Sequence, residues 1–535
     1  MNKIFSLLHP LLFALFFIFA LFAHNREQVL YQDLITPLVL TALGVAVISA
    51  FFLFLFRMNW QKAMFATTLS IIFFFAYGHV FDPGGEGNYW IRTRYFLPFW
   101  TMLWVFSIGA LFWLRRDIFK FALGLTLIAL SMNTISVVSL IRYEFNNQTT
   151  LVIPLDPVPT NSFRILPDIY FILPDAYSSA WALKDFFDYD NSAFENFLKE
   201  KGFYVAPKSR SNYHSTALSM ASLLNLDYLE ALSKGGEVSN TTTNPRQLIA
   251  ENRVGKFLQS LGYTYIHLGS WWEGDFRVPF ANENINKGFM SEFMLNLFKK
   301  TAIYPAAYHY DFFNDRYMDW KRMRYQFDEM AKIPKRKEPT FTFFHLGAPH
   351  GPYVFHADGS FIESLEEPLL ITLDDEQVKN PELHRKYYPG QLTYVTERLI
   401  ALVETILAES EIPPIIIIQS DHGSSLFKRS DPDYRRNKLK NFSAFFLPPL
   451  RSSSKASQDK QGLPVRQADF AGQADDWLWE DITPVNTFRV IFNYYFGTDY
   501  EMLPDRSYAL TAQDNRLHPD LDLVDVTEEV AKDYE

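Results

Sequence analysis

The chain has 535 residues, which is too long for one ordinary domain. Its net charge of −10 and pI near 5.7 argue against a nucleic-acid partner, which would normally require a basic face. The absence of cysteine excludes disulfides, cysteine-ligated zinc and a cysteine nucleophile.

The first quarter of the chain contains uninterrupted apolar runs, each long enough to cross a bilayer. We predict five transmembrane helices and a membrane domain over residues 1–143. The first run could instead be a cleaved signal peptide, but it contains His9-Pro10 and no small-residue cleavage site follows it. The runs are Ile4–Ala23, Ile35–Leu55, Ala63–Phe81, Tyr95–Leu114 and Ile118–Ile141.

Basic residues predict the orientation of these helices, because cytoplasmic loops carry an excess of Lys and Arg. One side has six of them and the other side's short loops have three, so the amino terminus is expected inside. Five spans then put everything after about Tyr143 outside the cytoplasm, and we expect a multi-pass inner-membrane protein with an extracytoplasmic catalytic domain. The six are Lys3, Arg57, Lys62, Arg115, Arg116 and Lys120, and the three are Arg26, Arg92 and Arg94.

A Pro- and Thr-rich connector is predicted over 144–162, followed by a soluble domain over 163–535. In this domain short apolar strands alternate with amphipathic helices, which predicts an α/β fold with a mostly parallel sheet covered by helices on both faces. We also expect a mobile polar insertion at Arg451–Asp475 and a solvated acidic tail from Asp520, whereas Phe289–Met330 is helical without a recognisable motif. The predicted strands are Ile169–Leu173, Phe203–Val205, Tyr263–Gly269, Thr340–Leu346, Ile415–Gln419 and Phe442–Leu447.

Polar residues follow several of these strands directly. Four isoleucines run into Asp421, His422 and Gly423, while Asp175 and His350 follow two other strands. Ligands of α/β sheets bind at the carboxyl ends of the strands. A carboxylate beside an imidazole suits a borderline divalent cation, although an aspartate that caps the next helix beside a solvated histidine is the plainer reading of the pair alone. The convergence of several strand ends favours a metal site.

Three motifs resemble the alkaline phosphatase superfamily, specifically its membrane-anchored sulfatase-like branch, which includes phosphoethanolamine transferases and lipoteichoic acid synthases. They are Pro167–Asp175, Thr216–Met220 and Ser420–Gly423. The resemblance implies an alkaline-phosphatase-like domain behind the five helices, and one divalent ion, Zn²⁺ or Mn²⁺, held by Asp175, Thr216, Asp421 and His422. It also implies that Thr216 is the nucleophile, since a bound cation lowers the pKa of a hydroxyl enough for attack on phosphorus.

Each of these assignments has a structural alternative. An isolated threonine near the start of a helix, like Thr216, is more often a cap. His350 resembles the family histidine that contacts the phosphoryl or leaving group, and its alternative is a satisfied loop histidine. For His345 and His267, which lie inside strand patterns, we expect core packing or hydrogen bonds behind the site.

The chain departs from the family pattern at two positions. Phosphoethanolamine transferases carry another histidine about a dozen residues past the Asp-His pair, whereas this chain has none there. Arg435 or Arg436 could supply its charge to a phosphate, with solvated surface arginines as the default. The first ligand is Asp175, where both families usually have glutamate, so the donor cannot be carried over from either family.

The sequence therefore predicts a membrane-bound transferase that moves a phospho-group, of phosphoethanolamine or phosphoglycerol type, to a lipid or glycan acceptor through a phosphothreonine intermediate. Its partners are expected to be a membrane lipid and a lipid-linked or glycan acceptor. The main alternative is a sulfatase-like hydrolase, either a phosphodiesterase or another sulfuric or phosphoric ester hydrolase. Formylglycine sulfatases need a Cys/Ser-x-Pro-x-Arg segment, which Thr216–Met220 lacks. A membrane sensor that binds without turnover is a third reading, disfavoured by the nucleophile and ligand set.

Overall fold

The computed structural model describes residues 5–26, 29–81, 89–113, 118–146, 166–229, 245–286, 288–307, 314–363, 381–449, 477–510 and 523–534. The polar insertion predicted at Arg451–Asp475 lies outside these residues, as does most of the connector predicted over 144–162.

Seventeen α-helices and nine strands make up the described part of the chain. The helices are α1 (His9–His24), α2 (Ile35–Leu55), α3 (Trp60–Phe81), α4 (Tyr89–Trp113), α5 (Phe119–Asn146), α6 (Ala180–Phe187), α7 (Ser192–Glu200), α8 (Thr216–Asn225), α9 (Pro245–Ala250), α10 (Arg253–Ser260), α11 (Glu292–Lys299), α12 (Tyr304–Ala307), α13 (Asp315–Met330), α14 (Pro381–Glu409), α15 (Tyr434–Lys438), α16 (Pro484–Phe496) and α17 (Thr527–Ala531). The strands are β1 (Ile169–Pro174), β2 (Tyr204–Val205), β3 (Thr264–Leu268), β4 (Glu283–Asn284), β5 (Thr340–Leu346), β6 (Ile415–Gln419), β7 (Ser443–Phe446), β8 (Tyr508–Leu510) and β9 (Leu523–Asp525).

The chain forms two compact units. The first consists of Met1–Gln148 with Met290–Asp315, and the second of Thr149–Phe289 with Arg316–Glu535. The predicted domain boundaries at residues 143 and 163 lie near Gln148, where the first segment of the first unit ends, and they remain predictions. One later segment, Met290–Asp315, groups with the amino-terminal helices.

The first unit contains the predicted apolar helices. Four of them are long and apolar enough to cross a membrane, namely Tyr31–Leu55, Trp60–Phe81, Arg94–Trp113 and Phe119–Phe145. Helix α1, with 16 residues, is apolar but shorter than the roughly 20 residues of a typical span. Five helices are therefore present, and the described residues contain four candidate spans.

The segment that carries α11 packs against α3 of this same unit. The amide of Ala302 donates to the Phe74 carbonyl (2.8 Å), and the amide of Gly78 donates to the Lys300 carbonyl (2.9 Å). A side chain at position 78 would meet the Cα of Lys300 at 2.7 Å, so the two backbones touch because that residue is glycine. The aromatic region without a motif thus supplies part of the membrane-helix unit.

The second unit is built on a seven-stranded sheet in the order β2-β7-β6-β1-β5-β3-β4. The five strands from β6 to β4 are parallel, and β7 runs antiparallel to both β6 and β2. The predicted α/β architecture with a mostly parallel sheet is confirmed. Strand β4 at the edge has two residues and was not predicted, because so short a stretch shows no periodicity.

Both faces of this sheet are covered, which explains why its strands read as continuous apolar runs. Ile169 and Phe171 of β1 pack with α8, α10 and α16 on one face, while Tyr170 and Ile172 pack with α13 and α14 on the other. All four isoleucines of β6 are fully buried. Burying such a side chain stabilises a fold by about 1.5–3 kcal/mol relative to exposure, so the central strands hold the sheet's carboxyl edge rigidly.

The end of the chain differs from the solvated tail expected from Asp520. Residues Leu523–Asp525 form β9, which pairs antiparallel with β8, and α17 follows. Val526 and Val530 are buried against Leu439. The prediction is wrong for the described part of the tail because its sparse apolar residues are enough to dock it on the domain.

Candidate active site

Asp175 enters the site from the end of β1. Its amide donates to the Leu346 carbonyl (2.9 Å), and its carbonyl accepts from the His350 amide (3.0 Å), so the residue is bonded to the loop after β5. The side chain is nearly buried, and its Oδ1 has no hydrogen-bond donor among the described residues. A buried carboxylate oxygen of this kind calls for a positive partner.

Asp421 and His422 follow β6, the strand that pairs directly with β1 and so lies beside Asp175. Asp421 Oδ1 accepts from the Ala176 amide (3.1 Å), whereas its Oδ2 has no donor among the described residues. His422 Nδ1 donates to the Gly423 carbonyl (2.8 Å), which leaves the Nε2 lone pair facing the site. That Nε2 lies 3.2 Å from Asp421 Oδ2 and 3.9 Å from Asp175 Oδ1.

Thr216 is the first residue of α8, and its Oγ1 lies 3.2 Å from His422 Nε2. The cap position of the helix is Ser215, so the Thr216 hydroxyl is not the capping group. The loop before α8 is tied to the strand end, because Ser211 Oγ donates to the Asp421 carbonyl and contacts Ser219 Oγ at 3.2 Å. The fold therefore brings the Thr216 hydroxyl next to the Asp-His pair.

These residues form a group that could hold a metal ion. In Asp175, Asp421 and His422, one ligand atom from each lies within 4.8 Å of the others. Two carboxylate oxygens, one imidazole nitrogen and the neighbouring Thr216 hydroxyl are a donor set that suits Zn²⁺ or Mn²⁺. Two of these oxygens are buried without a donor, so the residues fit a divalent cation.

The charges at the site favour an ionised carboxylate beside a neutral imidazole. Burial alone would raise the pKa of Asp175, but the neighbouring His350 and His345 hold it below the usual aspartate range. Burial lowers the pKa of His422, and Lys438 adds to this while Asp421 opposes it. Metal ligands must be deprotonated, so both shifts suit cation binding.

His350 lies on the loop after β5 beside this group. Its Nδ1 donates to the Gly351 carbonyl (2.6 Å), and its ring centre is 6.3 Å from that of His422. Gln391 Nε2 donates to the His350 carbonyl (2.8 Å) and holds the loop against α14. The half-buried ring thus presents Nε2 near the strand ends, where a substrate group could reach it.

Arg435 and Arg436 do not supply the charge of the missing histidine. Arg435 pairs with Glu529 (2.7 Å) and Arg436 with Asp533 (2.8 Å), both from the carboxyl-terminal segment. The hypothesis that one of them serves the phosphate is therefore wrong for this structure, since both are engaged by carboxylates.

Lys438 is a residue that the sequence analysis missed. It is buried, and its Nζ donates to Ser425 Oγ (2.6 Å). Its charge lowers the pKa of both His422 and His384, so the ammonium lies near the site. The sequence did not reveal this role, because a lysine in an Arg- and Lys-rich stretch is normally exposed to solvent.

His384 on α14 was also missed. It is buried, and its Nδ1 lies 2.8 Å from the Tyr353 hydroxyl. Burial lowers its pKa to about 4, with smaller contributions from His350 and Lys438. A neutral histidine therefore backs the loop that carries His350.

A model of the sulfatase family matches residues 186–477, which is more than half of the chain. No curated protein matches this chain. Among solved structures, the C-terminal periplasmic domain of EcEptC from Escherichia coli in complex with Zn is similar at 10% identity and a TM-score of 0.40, over 70% of this chain and 96% of that chain.

Two further solved structures are similar. The integral membrane protein lipooligosaccharide phosphoethanolamine transferase A (EptA) from Neisseria meningitidis has 14% identity and a TM-score of 0.36, over 92% of this chain and 95% of that chain. The periplasmic domain of phosphoethanolamine transferase EptC from Campylobacter jejuni has 12% identity and a TM-score of 0.36, over 63% and 91%. These likenesses are too distant to carry an activity or a substrate over to this chain.

Proposed function

This chain belongs to the sulfatase family, and from that membership and its site we propose that it is a membrane-bound, metal-dependent transferase of phospho-groups. The proposed group is of phosphoethanolamine or phosphoglycerol type, and the acceptor is a lipid or a glycan. The observation that carries the proposal is the position of Thr216 Oγ1, 3.2 Å from His422 Nε2, beside two buried carboxylates that each have one oxygen without a donor among the described residues. A hydroxyl at this point of a cation site is suited to nucleophilic attack.

Asp175, Asp421, His422 and Thr216 would hold the cation, Zn²⁺ or Mn²⁺. A divalent cation bound there supplies positive charge that lowers the pKa of a hydroxyl and stabilises negative charge on phosphoryl oxygens. The protein's own part is to fix the ligands. The Gly423 carbonyl fixes the tautomer of His422, and the Ala176 amide fixes one oxygen of Asp421.

In the proposed first step, Thr216 Oγ1 forms a bond to the phosphorus of a phosphodiester donor while the bond from phosphorus to the donor alcohol breaks. The Thr216 proton leaves through His350 Nε2 and is returned to the oxygen of the departing alcohol. An acceptor hydroxyl then attacks the phosphorus as the bond to Thr216 breaks, and the acceptor's proton passes through His350 Nε2 to the released Thr216 oxygen. Lys438, buried beside the site, neutralises a non-bridging phosphoryl oxygen.

The membrane helices suggest where the donor comes from. Four helices are long and apolar enough to cross a bilayer. A membrane phospholipid is therefore the most accessible donor. The asymmetry of Lys and Arg around these helices supports a catalytic unit outside the cytoplasm, in a multi-pass inner-membrane protein.

The alternative is a hydrolase, which is favoured by the match to a sulfatase model. The residue at the nucleophile position is Thr216, and the chain has no cysteine. A formylglycine cannot form from threonine, so a hydrolase with this site would act as a phosphodiesterase. The two functions differ only in whether an acceptor hydroxyl or water attacks the phosphothreonine.

The proposal is tested with full-length protein in lipid nanodiscs that contain fluorescent phosphatidylethanolamine or phosphatidylglycerol. We expect wild type to release labelled diacylglycerol in the presence of the cation, and Thr216→Ala to fold without releasing it, since alanine is the best helix former. Ser215→Ala is the matched control, because its hydroxyl makes no capping bond to α8 and its loss should leave turnover intact.

The acceptor decides between transferase and hydrolase. A phospho-group that stays on the protein until a lipid or glycan acceptor is added supports the transferase. Release of the group into water at the same rate without any acceptor supports the phosphodiesterase. Turnover by Thr216→Ala at the wild-type rate contradicts both.

A further inference from the structure

A buried carboxylate and histidine stand behind Asp175, and we infer that Asp275 and His345 form a positioning relay that directs one Asp175 oxygen at the cation. This inference rests on the metal site of the proposed function. His345 Nδ1 lies 2.5 Å from Asp275 Oδ2, and His345 Nε2 lies 3.5 Å from Asp175 Oδ2. The order is therefore carboxylate, imidazole, ligand.

The relay begins at a rigid turn after β3. Arg322 Nη1 donates to the Ser270 carbonyl (2.9 Å), and Gln326 Nε2 donates to the Gly269 carbonyl (2.8 Å), so α13 holds the turn from one side. A side chain at position 269 would meet the Asp275 carbonyl at 2.0 Å. The turn closes tightly on Gly269 and places Asp275 beneath the strand ends.

Asp275 is fully buried, and both of its oxygens are used. Oδ1 accepts from Ser270 Oγ (2.8 Å), and Oδ2 faces His345 Nδ1. With one nitrogen held by Asp275, the His345 ring has a fixed orientation on β5 and its other nitrogen faces Asp175. His345 Nε2 makes no hydrogen bond with any described residue and lies at an ion-pair distance of 3.5 Å from Asp175 Oδ2. A fixed ring at that distance limits how far this carboxylate oxygen can rotate.

The two carboxylate oxygens of Asp175 face different neighbours. Oδ2 faces His345, whereas Oδ1 faces the site and lies 3.9 Å from His422 Nε2. Oδ1 is also the oxygen that has no hydrogen-bond donor among the described residues. We therefore assign Oδ1 as the cation ligand and Oδ2 as the oxygen that His345 positions.

Stability alone does not account for this cluster. Two buried carboxylates and an imidazole cost desolvation energy that apolar side chains of the same volume avoid. His267, on the neighbouring strand β3, is buried to the same degree but bonds the main-chain carbonyl of Asp275 (2.6 Å), away from Asp175. It is a matched control, since it shares the burial and the turn without the contact to the ligand.

The test measures cation affinity without any substrate. Full-length protein in detergent is stripped of metal and titrated calorimetrically with Zn²⁺, and Co²⁺ is used to record the visible spectrum of the bound ion. His345→Gln and Asp275→Asn are expected to bind Zn²⁺ about 10- to 100-fold more weakly and to change the Co²⁺ spectrum, as loss of a residue that orients a metal ligand does elsewhere. His267→Gln is expected to keep both the affinity and the spectrum.

Each outcome decides the inference. Asp275→Asn keeps the side-chain volume, so it tests the inference even if His345→Gln does not fold. Wild-type Zn²⁺ affinity and Co²⁺ spectrum in Asp275→Asn would overturn the inference. An equal loss in His267→Gln would also overturn it, because the effect would then be general damage to a buried polar cluster. If wild type itself binds no cation, the metal site of the proposed function fails and the relay fails with it.

Discussion

A methyl group added at Gly423 should push the end of β6 away from the segment that packs against it. Gly423 follows His422 directly, and its amide donates to the Lys438 carbonyl (2.7 Å). A Cβ at this position would lie 2.1 Å from the Asn437 carbonyl oxygen and 3.0 Å from that of Lys440. Both are main-chain atoms, so neither can rotate away.

The size of the effect follows from these distances. An ordinary contact to a Cβ begins at 3.4 Å, so the two segments must separate by the difference between 3.4 and 2.1 Å, about 1.3 Å. Overpacking of this kind costs about 1–3 kcal/mol of stability. A displacement of about 1 Å at a catalytic group costs on the order of 100-fold in rate. We expect Gly423→Ala to fold with reduced stability and to lose most of its cation affinity and turnover.

The assay combines thermal unfolding, Zn²⁺ calorimetry and release of diacylglycerol from nanodiscs. Gly390→Ala is the matched control, because a Cβ there meets only the Ala357 amide nitrogen at an ordinary 3.7 Å, and we expect wild-type behaviour. If Gly423→Ala kept wild-type affinity and turnover, the strand end would not depend on this close approach, and the reasoning about the site's rigidity would be refuted.

Three further predictions concern residues of the second unit. Asp533→Asn removes the carboxylate 2.6 Å from the buried Lys440 Nζ, and we expect urea unfolding to show a loss of about 3 kcal/mol; an unchanged midpoint would contradict the role of this pair. Burial lowers the pKa of Lys440 to about 8, with Asp533 opposing, so the unfolded chain binds more protons from about pH 8 to its ordinary pKa near 10.4, and the free energy of unfolding should rise with pH across that window. Lys440→Met should remove this rise in the free energy of unfolding. The same pH slope in the wild type and in Lys440→Met would exclude Lys440 as the source of the rise. Lys184→Cys, in a chain without other cysteines and at a side chain that is 68% exposed, should react with an impermeant thiol reagent in intact cells; protection until lysis would contradict an extracytoplasmic unit.

The central sheet and the position of the candidate ligands at strand ends were predictable from the sequence because each depends on local pattern. Strands β1, β5 and β6 are buried on both faces, so they read as apolar runs, and the polar residues that end them stand out. Parallel strands bring those ends to one edge, which is why Asp175 and Asp421 could be placed together before the structure was known.

The rest could not be predicted because it depends on contacts between distant segments. Lys438 looks like a surface lysine until its burial is known, and Arg436 looks free until the carboxyl-terminal segment brings Asp533 to it. Asp275 lies in a turn without a motif, yet it contacts His345, 70 residues later. The grouping of Met290–Asp315 with the apolar helices likewise rests on main-chain bonds that no periodicity reveals.

The central claim is that Thr216 carries the phospho-group, and mass spectrometry of its peptide tests this most directly. Wild type is mixed with phosphatidylethanolamine or phosphatidylglycerol in the presence of the cation, quenched before acceptor is added, and digested. The account predicts phosphoethanolamine or phosphoglycerol on Thr216, its disappearance when an acceptor is supplied, and no adduct in Thr216→Ala. An unmodified Thr216 throughout turnover, with Thr216→Ala processing the same lipid at the wild-type rate, would contradict it.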